Sequence, residues 1–355
     1  MYLKRLALLN FKNIAESELH FGRGINCLVG DNGAGKTNVV DAVHYLSMCK
    51  SAFGMTDGQT IRHGADFFMA EGHYTTDRES QEQILCSFSR KGGKLLKRNG
   101  KEYERLSDHV GLIPSVIISP ADSVLISDAA EERRRFLNAL IRYNAVLNER
   151  NRLLKMQPDE VMLSIYDEQL AQHGEQIHAR RKAVVEELQP LVAEYYRTLS
   201  EDREQVELHY KSELNESSMR EVLQASRQKD LVNEFTTAGI HRDDLTLKIG
   251  GHPLRKYGSQ GQQKSFLIAL KLAQYALLSK AAGEKPILLL DDLFDKLDAG
   301  RVEQLIRLVS DEQFGQSLIT DCNPTRRAAI LERAGSAYTL YKVADGVATC
   351  ENSAE

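Results

Sequence analysis

An octapeptide near the N-terminus, GDNGAGKT at residues 30–37, matches the phosphate-binding pattern G-x-x-x-x-G-K-[ST]. In such a loop, backbone N–H groups close on the phosphates of a nucleotide. We expect the Lys36 ammonium to reach the β and γ oxygens and the Thr37 hydroxyl to bind Mg²⁺. The predicted site for ATP and Mg²⁺ is lined by Gly30, Asp31, Asn32, Gly33, Ala34, Gly35, Lys36 and Thr37.

The flanking residues predict the elements that hold this loop. Residues 25–29, INCLV, form an apolar run typical of a buried strand. Residues 38–48 predict a helix whose N-terminus faces the phosphates. A glycine-rich turn without a ligand is the alternative for the isolated motif.

Two adjacent carboxylates, Asp291 and Asp292, follow the apolar run PILLL at residues 286–290. We expect this run to be a Walker B strand beside the phosphate-loop strand, so that Asp291 holds Mg²⁺ together with Thr37. Asp292 is predicted to polarise the attacking water. Taken alone, the pair would be a turn and a helix cap. With the phosphate loop upstream, the predicted catalytic residues are Lys36, Asp291 and Asp292.

A second anion-binding feature is predicted at residues 257–265, YGSQGQQKS, which precede an apolar stretch of helical period. Ser259 and Gly261 offer a hydroxyl and backbone donors at a helix N-terminus, where the helix dipole favours an anion. Ordinary helix capping by Ser259 is the alternative. One chain has no use for two γ-phosphate sites unless they meet across an interface between two chains.

A basic segment at residues 91–101, KGGKLLKRNGK, contains no acid and five positive charges: Lys91, Lys94, Lys97, Arg98 and Lys101. Its Asn-Gly pair predicts a tight hairpin turn. One interpretation is an edge strand that its lysines keep from aggregating. The other is a surface that contacts DNA phosphates.

Composition and charge narrow the class of protein. A content of 42% hydrophobic and 27% charged residues is typical of a soluble globular chain, and a net charge of −4 leaves DNA binding to a local basic surface. A signal peptide and a membrane span are not predicted, so we expect a cytoplasmic location. Five widely spaced cysteines without a C-x-x-C pair predict reduced thiols rather than a zinc site.

Residues 129–199 change to a helical period, with apolar residues at steps of three and four. Pro190 is expected to kink or split this helix. Because the regular stretch is short for a coiled coil, we predict a compact helical lobe.

Six segments occur in an order that resembles one protein family. They are FKN at 11–13, GDNGAGKTNVVDAV at 30–43, IISPAD at 117–122 with RRRFL at 133–137, GIHRDD at 239–244, GSQGQQKS at 258–265 and ILLLDDLFDKLD at 287–298. Together they resemble the RecF family of bacterial recombination mediators, among the SMC-like ABC ATPases, over residues 1–321.

The resemblance implies an α/β fold, with an ABC/SMC-type P-loop ATPase head that contains a mixed sheet and a compact helical second lobe. Residues 1–120 would form the N-terminal part of the ATPase lobe with the phosphate loop and a β-meander. Residues 121–205 would form the helical lobe, and residues 206–355 the C-terminal part of the ATPase lobe with the signature motif and Walker B. In that motif, Ser259, Gly261 and Gln262 would contact the γ-phosphate bound to the other subunit.

The resemblance also implies a weak, DNA-stimulated ATPase that forms a homodimer with ATP and binds duplex or gapped DNA. RecO and RecR would be its partners in loading RecA onto single-stranded gaps. Departures from the family pattern occur at Asn138, Tyr166, Ile240 and Lys296. Lys296 lies at the presumed dimer interface and leaves the dimer strength open. Thr320 stands where ABC transporters carry a switch histidine and is expected to take part of that role.

Three other classes remain open from the sequence. A transporter ATPase subunit is disfavoured because a long helical insertion separates the phosphate loop from Ser259. The head of a long-armed SMC protein is disfavoured because the chain lacks a long coiled coil. A metal-dependent hydrolase site at His241, Asp243 and Asp244 is the third alternative to the RecF-like interpretation, and a hydrogen-bonded turn is the simpler interpretation of these three residues.

Overall fold

A computed structural model gives the fold and describes residues 1–127, 133–134, 141–156, 160–294, 297–321 and 338–353. Residues 135–138, Lys296 and Cys322, which entered the sequence interpretation, lie outside these ranges. The chain divides into two compact units. The first unit comprises Met1–Asp122, Thr198–Ser200 and Ile268–Glu355, and the second unit comprises Ser123–Arg197 and Glu201–Leu267.

The first unit contains two six-stranded sheets. The antiparallel sheet has the order β2-β1-β4-β5-β6-β7 and is built from β1 (Tyr2–Phe11), β2 (Ile14–His20), β4 (Phe67–Thr75), β5 (Gln81–Ser89), β6 (Gly93–Arg98) and β7 (Lys101–Glu102). The mixed sheet has the order β15-β14-β3-β13-β12-β8 and is built from β3 (Ile25–Val29), β8 (Ser115–Ile118), β12 (Ile287–Leu290), β13 (Ser317–Asp321), β14 (Tyr338–Ala344) and β15 (Val347–Ser353).

The α-helices of the described residues are listed here in chain order. They are α1 (Lys36–Met48), α2 (Asp57–Thr60), α3 (Val124–Ser127), α4 (Ile141–Leu154), α5 (Glu160–Leu199), α6 (Met219–Asn233), α7 (Leu254–Tyr257), α8 (Gln260–Ala282) and α9 (Ala299–Val309). Within the same residues, no helix combines the length and the apolar character needed to cross a bilayer.

Helix α1 lies in the core of the first unit and contacts both sheets. Its apolar side chains, such as Val43 and Leu46, are fully buried. They share one core with Phe68 of the antiparallel sheet and Leu318 of the mixed sheet. The predicted strand at 25–29 and the predicted helix after the phosphate loop are therefore confirmed as β3 and α1.

The order of the mixed sheet corrects one prediction. The Walker B strand β12 does not pair with the phosphate-loop strand β3, because β13 lies between them and is parallel to both. All five residues of β13 are buried, which suits a strand covered on both faces. Since the carboxyl ends of parallel strands meet at one edge of a sheet, β13 brings its own polar residue, Thr320, to the predicted site.

The second unit combines helices with a three-stranded antiparallel sheet of order β11-β10-β9, formed by β9 (Val206–Lys211), β10 (Asp244–Ile249) and β11 (His252–Pro253). This unit extends beyond the helical lobe predicted at 121–205. The physical reason is that apolar residues of α5, such as Leu170, share a core with Met219 and Leu223 of α6 and with Ile240. The assignment of ATPase and helical lobes to these segments stays a prediction.

Pro190 does not split the long helix of the second unit. Helix α5 runs without a break from Glu160 to Leu199 with Pro190 inside it. A proline removes one backbone donor, but the turns on either side keep their hydrogen bonds and burial. The two flanking residues that face the interior, Leu188 and Val192, are nearly fully buried.

Candidate functional site

The phosphate loop connects the carboxyl end of β3 to the first turn of α1. Gly33 and Gly35 take positive φ angles of 83° and 113°, a region that favours glycine. The loop also bends on itself, because the Lys36 ammonium donates to the carbonyls of Gly30 (2.7 Å) and Asp31 (2.8 Å). The Lys36 ammonium is thereby held at the loop, where it is predicted to contact the β and γ phosphate oxygens.

Asp291 lies beside the start of α1, as the sequence predicted. The Thr37 hydroxyl donates to Asp291 Oδ1 at 2.9 Å, and the Thr320 hydroxyl donates to the same oxygen at 2.8 Å. Burial raises the pKa of the Asp291 carboxyl above its ordinary value, against the lowering effect of the two hydroxyl hydrogen bonds. The strand β13 therefore contributes Thr320 directly to this cluster. The sequence placed Thr320 at a switch position but did not predict that β13 lies between β3 and β12.

Asp292 follows in an unusual backbone conformation. Its φ of 48° lies in the left-handed region, which non-glycine residues seldom adopt. Its backbone N–H donates to the Thr320 hydroxyl at 3.0 Å. The two residues thus differ in backbone conformation, since Asp292 lies in a turn that begins directly after Asp291.

A turn between β1 and β2 fixes the loop from one side. Asn13 Nδ2 donates to the Gly33 carbonyl at 3.0 Å, and Asn38 of α1 donates to Asn13 Oδ1 at 2.7 Å. The neighbouring Lys12 ammonium forms an ion pair of 2.6 Å with Asp41 of α1. From the sequence, the FKN segment is only one of the six segments that resemble the family, with no predicted role of its own. A lysine and an asparagine directly after an apolar strand were the signal that could have found it.

The hairpin of β14 and β15 also fixes the loop, next to the turn between β1 and β2. The Gly346 N–H donates to the Ala34 carbonyl at 2.9 Å. A Cβ atom added at Gly30 would lie 2.1 Å from the Val343 carbonyl oxygen, so only glycine fits there. The sequence interpretation gave this hairpin no role, because the contact depends on the pairing of β14 with β3 rather than on a local motif.

The predicted signature residues lie in the second unit at the start of α8. The Ser259 N–H donates to Gln262 Oε1 at 2.7 Å, and the Gln262 N–H donates to Ser259 Oγ at 3.2 Å. This reciprocal pair is a capping box, so the helix-capping alternative describes the single chain correctly. Ser259 is also exposed, and Gly261 follows in the first turn. This helix N-terminus is therefore accessible from the solvent.

The basic hairpin divides into two faces. Lys94 and Arg98 alternate with Leu96 on one face of β6, and Leu96 is 1% exposed. Lys94 forms an ion pair with Asp57 at 2.8 Å, and Arg98 forms one with Glu82. These two charges therefore have structural partners.

The other three charges of the basic hairpin differ. Within the described ranges, Lys91, Lys97 and Lys101 have no ion-pair partner. Lys91 and Lys101 are exposed and Lys97 is half-buried. A DNA contact by this hairpin stays a prediction, and these three lysines are its best candidates.

The hydrolase alternative at residues 241–244 gains no support from the geometry. Asp243 pairs with Arg181 at 2.9 Å, and Asp244 pairs with Arg133 at 2.5 Å. His241 Nε2 lies 3.0 Å from the Thr236 carbonyl. In the part of the chain that the structure describes, no group of three or more His, Cys, Asp or Glu side chains could hold a metal ion. These residues form a hydrogen-bonded turn.

The cluster at the loop fits Mg²⁺ with a nucleotide. The Thr37 hydroxyl uses its proton for Asp291, which leaves its oxygen lone pairs for a cation. Both hydroxyl donors fall on Oδ1, so among the described residues Asp291 Oδ2 receives no hydrogen bond and is left for the metal. Oxygen ligands of this kind are those that Mg²⁺ prefers. The fold and this site define an SMC-like P-loop ATPase head.

Comparisons with known proteins specify the family. The family described as RecF/RecN/SMC N terminal domain matches residues 2–349. The DNA replication and repair protein RecF of Bacteroides thetaiotaomicron is 45% identical over 361 residues, which cover 98% of each chain. This chain belongs to the RecF family.

Solved structures agree in fold. A structure of the recombination mediator protein RecF with ATP, in the RecFOR pathway, is 29% identical and matches with a TM-score of 0.83 over 99% of this chain and 98% of that chain. An SMC head bound to the C-winged helix domain of ScpA matches with a TM-score of 0.62 at 16% identity, over 99% and 97% of the two chains. The second likeness shows the fold alone.

Proposed function

We propose that this chain is an ATP-dependent, dimeric DNA clamp in the recombinational repair of single-strand gaps. ATP joins two copies on duplex or gapped DNA, and slow, DNA-stimulated hydrolysis to ADP and phosphate releases them. With RecO and RecR, the clamp helps to load RecA. The name of the Bacteroides relative, DNA replication and repair protein, and the RecFOR pathway named for the RecF structure with ATP support this proposal. The cytoplasmic location expected from the sequence stays a prediction.

The observation that carries the proposal is the hydroxyl–carboxylate cluster behind the phosphate loop. Thr37, Asp291 and Thr320 meet within hydrogen-bond distance at the first turn of α1. A phosphate loop that served only as a turn would have no use for a buried carboxylate held by two hydroxyls. A loop that binds Mg²⁺ and ATP requires one.

Each residue of the loop has a stated task in this proposal. When bound, Mg²⁺ neutralises charge on the phosphates. Thr37 and Asp291 hold the metal, and Lys36 exchanges its bonds to the loop carbonyls for bonds to phosphate oxygens. Asp292 orients the attacking water. The glycine-rich backbone from Gly30 to Gly35 supplies N–H donors.

Dimerisation follows from the second helix N-terminus. Ser259 caps α8 in an exposed position, with Gly261 and Gln262 in the first turn. A helix N-terminus stabilises an anion through its dipole and its N–H groups. In the proposal, this end of α8 contacts the γ-phosphate held by the loop of the other copy.

The DNA-binding part of the proposal relies on local charge. The chain has a net charge of −4, so a bound DNA must meet a basic surface. Lys91, Lys97 and Lys101 of the basic hairpin are the proposed contacts. Contacts of this kind are made to phosphates and carry no base sequence information.

The proposal is tested by measuring the ATPase rate and the molar mass in solution, each with duplex, gapped and single-stranded DNA. We expect ATP to double the mass and duplex or gapped DNA to raise the rate. A mass that ATP leaves unchanged, or a rate that is indifferent to all three DNAs, would contradict the clamp and leave only nucleotide binding. A variant with Lys36→Ala serves as the control without bound phosphate.

A further inference from the structure

Thr320 touches both carboxylate residues of the Walker B pair. It lies at the end of β13, between the phosphate-loop strand and β12, and it is 1% exposed. Its hydroxyl donates to Asp291 Oδ1 at 2.8 Å and accepts the N–H of Asp292 at 3.0 Å. One buried hydroxyl thus links the side chain of one residue to the backbone of the next.

The course of β12 explains why a hydroxyl is needed at this place. The Asp291 N–H still pairs as a strand residue, with the Ile118 carbonyl of β8 at 2.8 Å. Asp292 has left the extended conformation, with a φ of 48°. Thr320 and Asp321 of β13 still pair with β3, and the Thr320 hydroxyl accepts the N–H of Asp292. A non-glycine residue persists in the left-handed region only where its surroundings hold it.

Threonine suits this task better than serine because of its branched Cβ. Branching at Cβ restricts the χ1 angle, so the direction of the hydroxyl is fixed by the strand. A hydroxyl is also both donor and acceptor, and both capacities are used here. Valine has the same shape without either capacity.

We propose that Thr320 is a positioning residue for Mg²⁺-dependent ATP hydrolysis. It holds Asp291 Oδ1 beside the Thr37 hydroxyl, which would leave Oδ2 to bind Mg²⁺, and it holds the Asp292 backbone in the left-handed turn. Thr320 acts through these two residues and does not itself touch the nucleotide. This assignment rests on the ATPase function proposed above.

Three variants test the assignment. Thr320→Val removes the hydroxyl at constant shape, and Thr320→Ser keeps it. Thr60→Val is the matched control, because Thr60 is fully buried in the same unit and its hydroxyl donates to a backbone carbonyl, that of Thr56, at 3.0 Å. Three quantities are measured for each: kcat and KM for ATP, the affinity for a fluorescent ATP analogue with Mg²⁺ and with EDTA, and the thermal unfolding midpoint without nucleotide.

We expect Thr320→Val to lower kcat by roughly 10²-fold, as other small misplacements of catalytic groups do, and to raise KM by about the factor that the analogue loses in affinity. The gain in analogue affinity that Mg²⁺ gives the wild type should largely disappear. Thr320→Ser should keep kcat within a few-fold of the wild type, and Thr60→Val should change only the unfolding midpoint.

The outcomes separate this inference from the proposed function. If the wild type binds the analogue with Mg²⁺ but does not turn over ATP, the ATPase proposal fails, while loss of the Mg²⁺ effect in Thr320→Val still supports the positioning role. The positioning role would be overturned by equal defects in Thr320→Val and Thr320→Ser. It would also be overturned if Mg²⁺ did not raise the analogue affinity of the wild type, or if Mg²⁺ still raised that of Thr320→Val. If Thr320→Val does not fold, Thr320→Ala is measured in its place and judged by the same results.

Discussion

Asp41 offers the sharpest test of how the core supports the phosphate loop. It is fully buried on α1 and accepts three donors: the Lys12 ammonium at 2.6 Å, the Ser51 hydroxyl at 2.8 Å and the Ala52 N–H at 2.7 Å. The next residue after Lys12 binds the Gly33 carbonyl, so the ion pair ties the loop to α1. The substitution Asp41→Asn removes the negative charge at nearly constant volume.

The structure sets the size of the expected loss. Breaking a buried ion pair by removing one partner costs about 3–5 kcal/mol, because the remaining charge is left buried. An asparagine also turns an NH₂ group toward donors that previously met an oxygen. We therefore expect Asp41→Asn to lower the free energy of unfolding by about 3–5 kcal/mol, a large part of the roughly 5–15 kcal/mol that stabilises a typical native protein. ATP affinity should fall with it.

The assay is urea denaturation followed by far-ultraviolet circular dichroism, since the chain has 13 tyrosines and no tryptophan as a fluorescent probe. Glu303→Gln is the control. Glu303 forms an exposed i,i+4 pair with Arg307 at 2.8 Å, and such a pair contributes below about 1 kcal/mol. The double variant Lys12→Met/Asp41→Asn removes both buried charges and keeps a side-chain oxygen for the Ala52 N–H, so it should recover part of the loss. A loss for Asp41→Asn as small as that for Glu303→Gln would show that the buried ion pair does not support the phosphate loop.

Three further predictions concern pH, catalysis and DNA. Burial lowers the pKa of His44 to about 4 from an ordinary 6.5, so between these pH values the unfolded chain binds a proton that the folded chain does not. The free energy of unfolding should therefore fall by up to about 3 kcal/mol as the pH drops from 6.5 to 4. The variant His44→Leu should show a weaker pH dependence in urea titrations. Asp292→Asn should bind ATP and accumulate dimers while phosphate release falls by ~10² or more, and unchanged release would remove Asp292 from its catalytic role. The double variant Lys97→Gln/Lys101→Gln should reduce the slope of log affinity for DNA against log salt by roughly two. Lys94→Gln should leave the slope unaltered, because Lys94 is already paired with Asp57. Equal slopes for the two variants would favour the interpretation of the hairpin as a protected sheet edge.

Local motifs in the sequence were sufficient to predict the phosphate loop. The glycines and the apolar run before them restrict the backbone within a few residues, so β3, the loop and the start of α1 lie where the pattern requires. The Asn-Gly turn at 99–100 also joins β6 to β7 as predicted, since such a turn is determined by two residues.

Features that depend on pairing between distant segments were not predictable in the same way. The period of an apolar run indicates a strand but not its neighbour, so the position of β13 between β3 and β12 was not predicted. Thr320 was expected at the site only through the likeness to ABC ATPases. The contact of Val343 with Gly30 was not predicted for the same reason, because it depends on the pairing of β14 with β3. By contrast, the inward face of Lys94 was predictable, because its step of two from Leu96 places both on one face of β6.

If each ATP site is completed by a second chain, as proposed, a mixture of two variants that are inactive alone should recover activity. Lys36→Ala disables the phosphate loop, and Ser259→Arg blocks the helix N-terminus that would meet the other chain. Each variant alone should stay monomeric with ATP and Mg²⁺ in multi-angle light scattering.

An equimolar mixture should form dimers, because the intact loop of one chain meets the intact Ser259 of the other. Its ATPase rate should rise toward half that of the wild type, since one of the two sites in each such pair is whole. A mixture that stays monomeric, or a Ser259→Arg chain that dimerises alone with ATP, would show that the ATP site is not completed by Ser259 of a second chain.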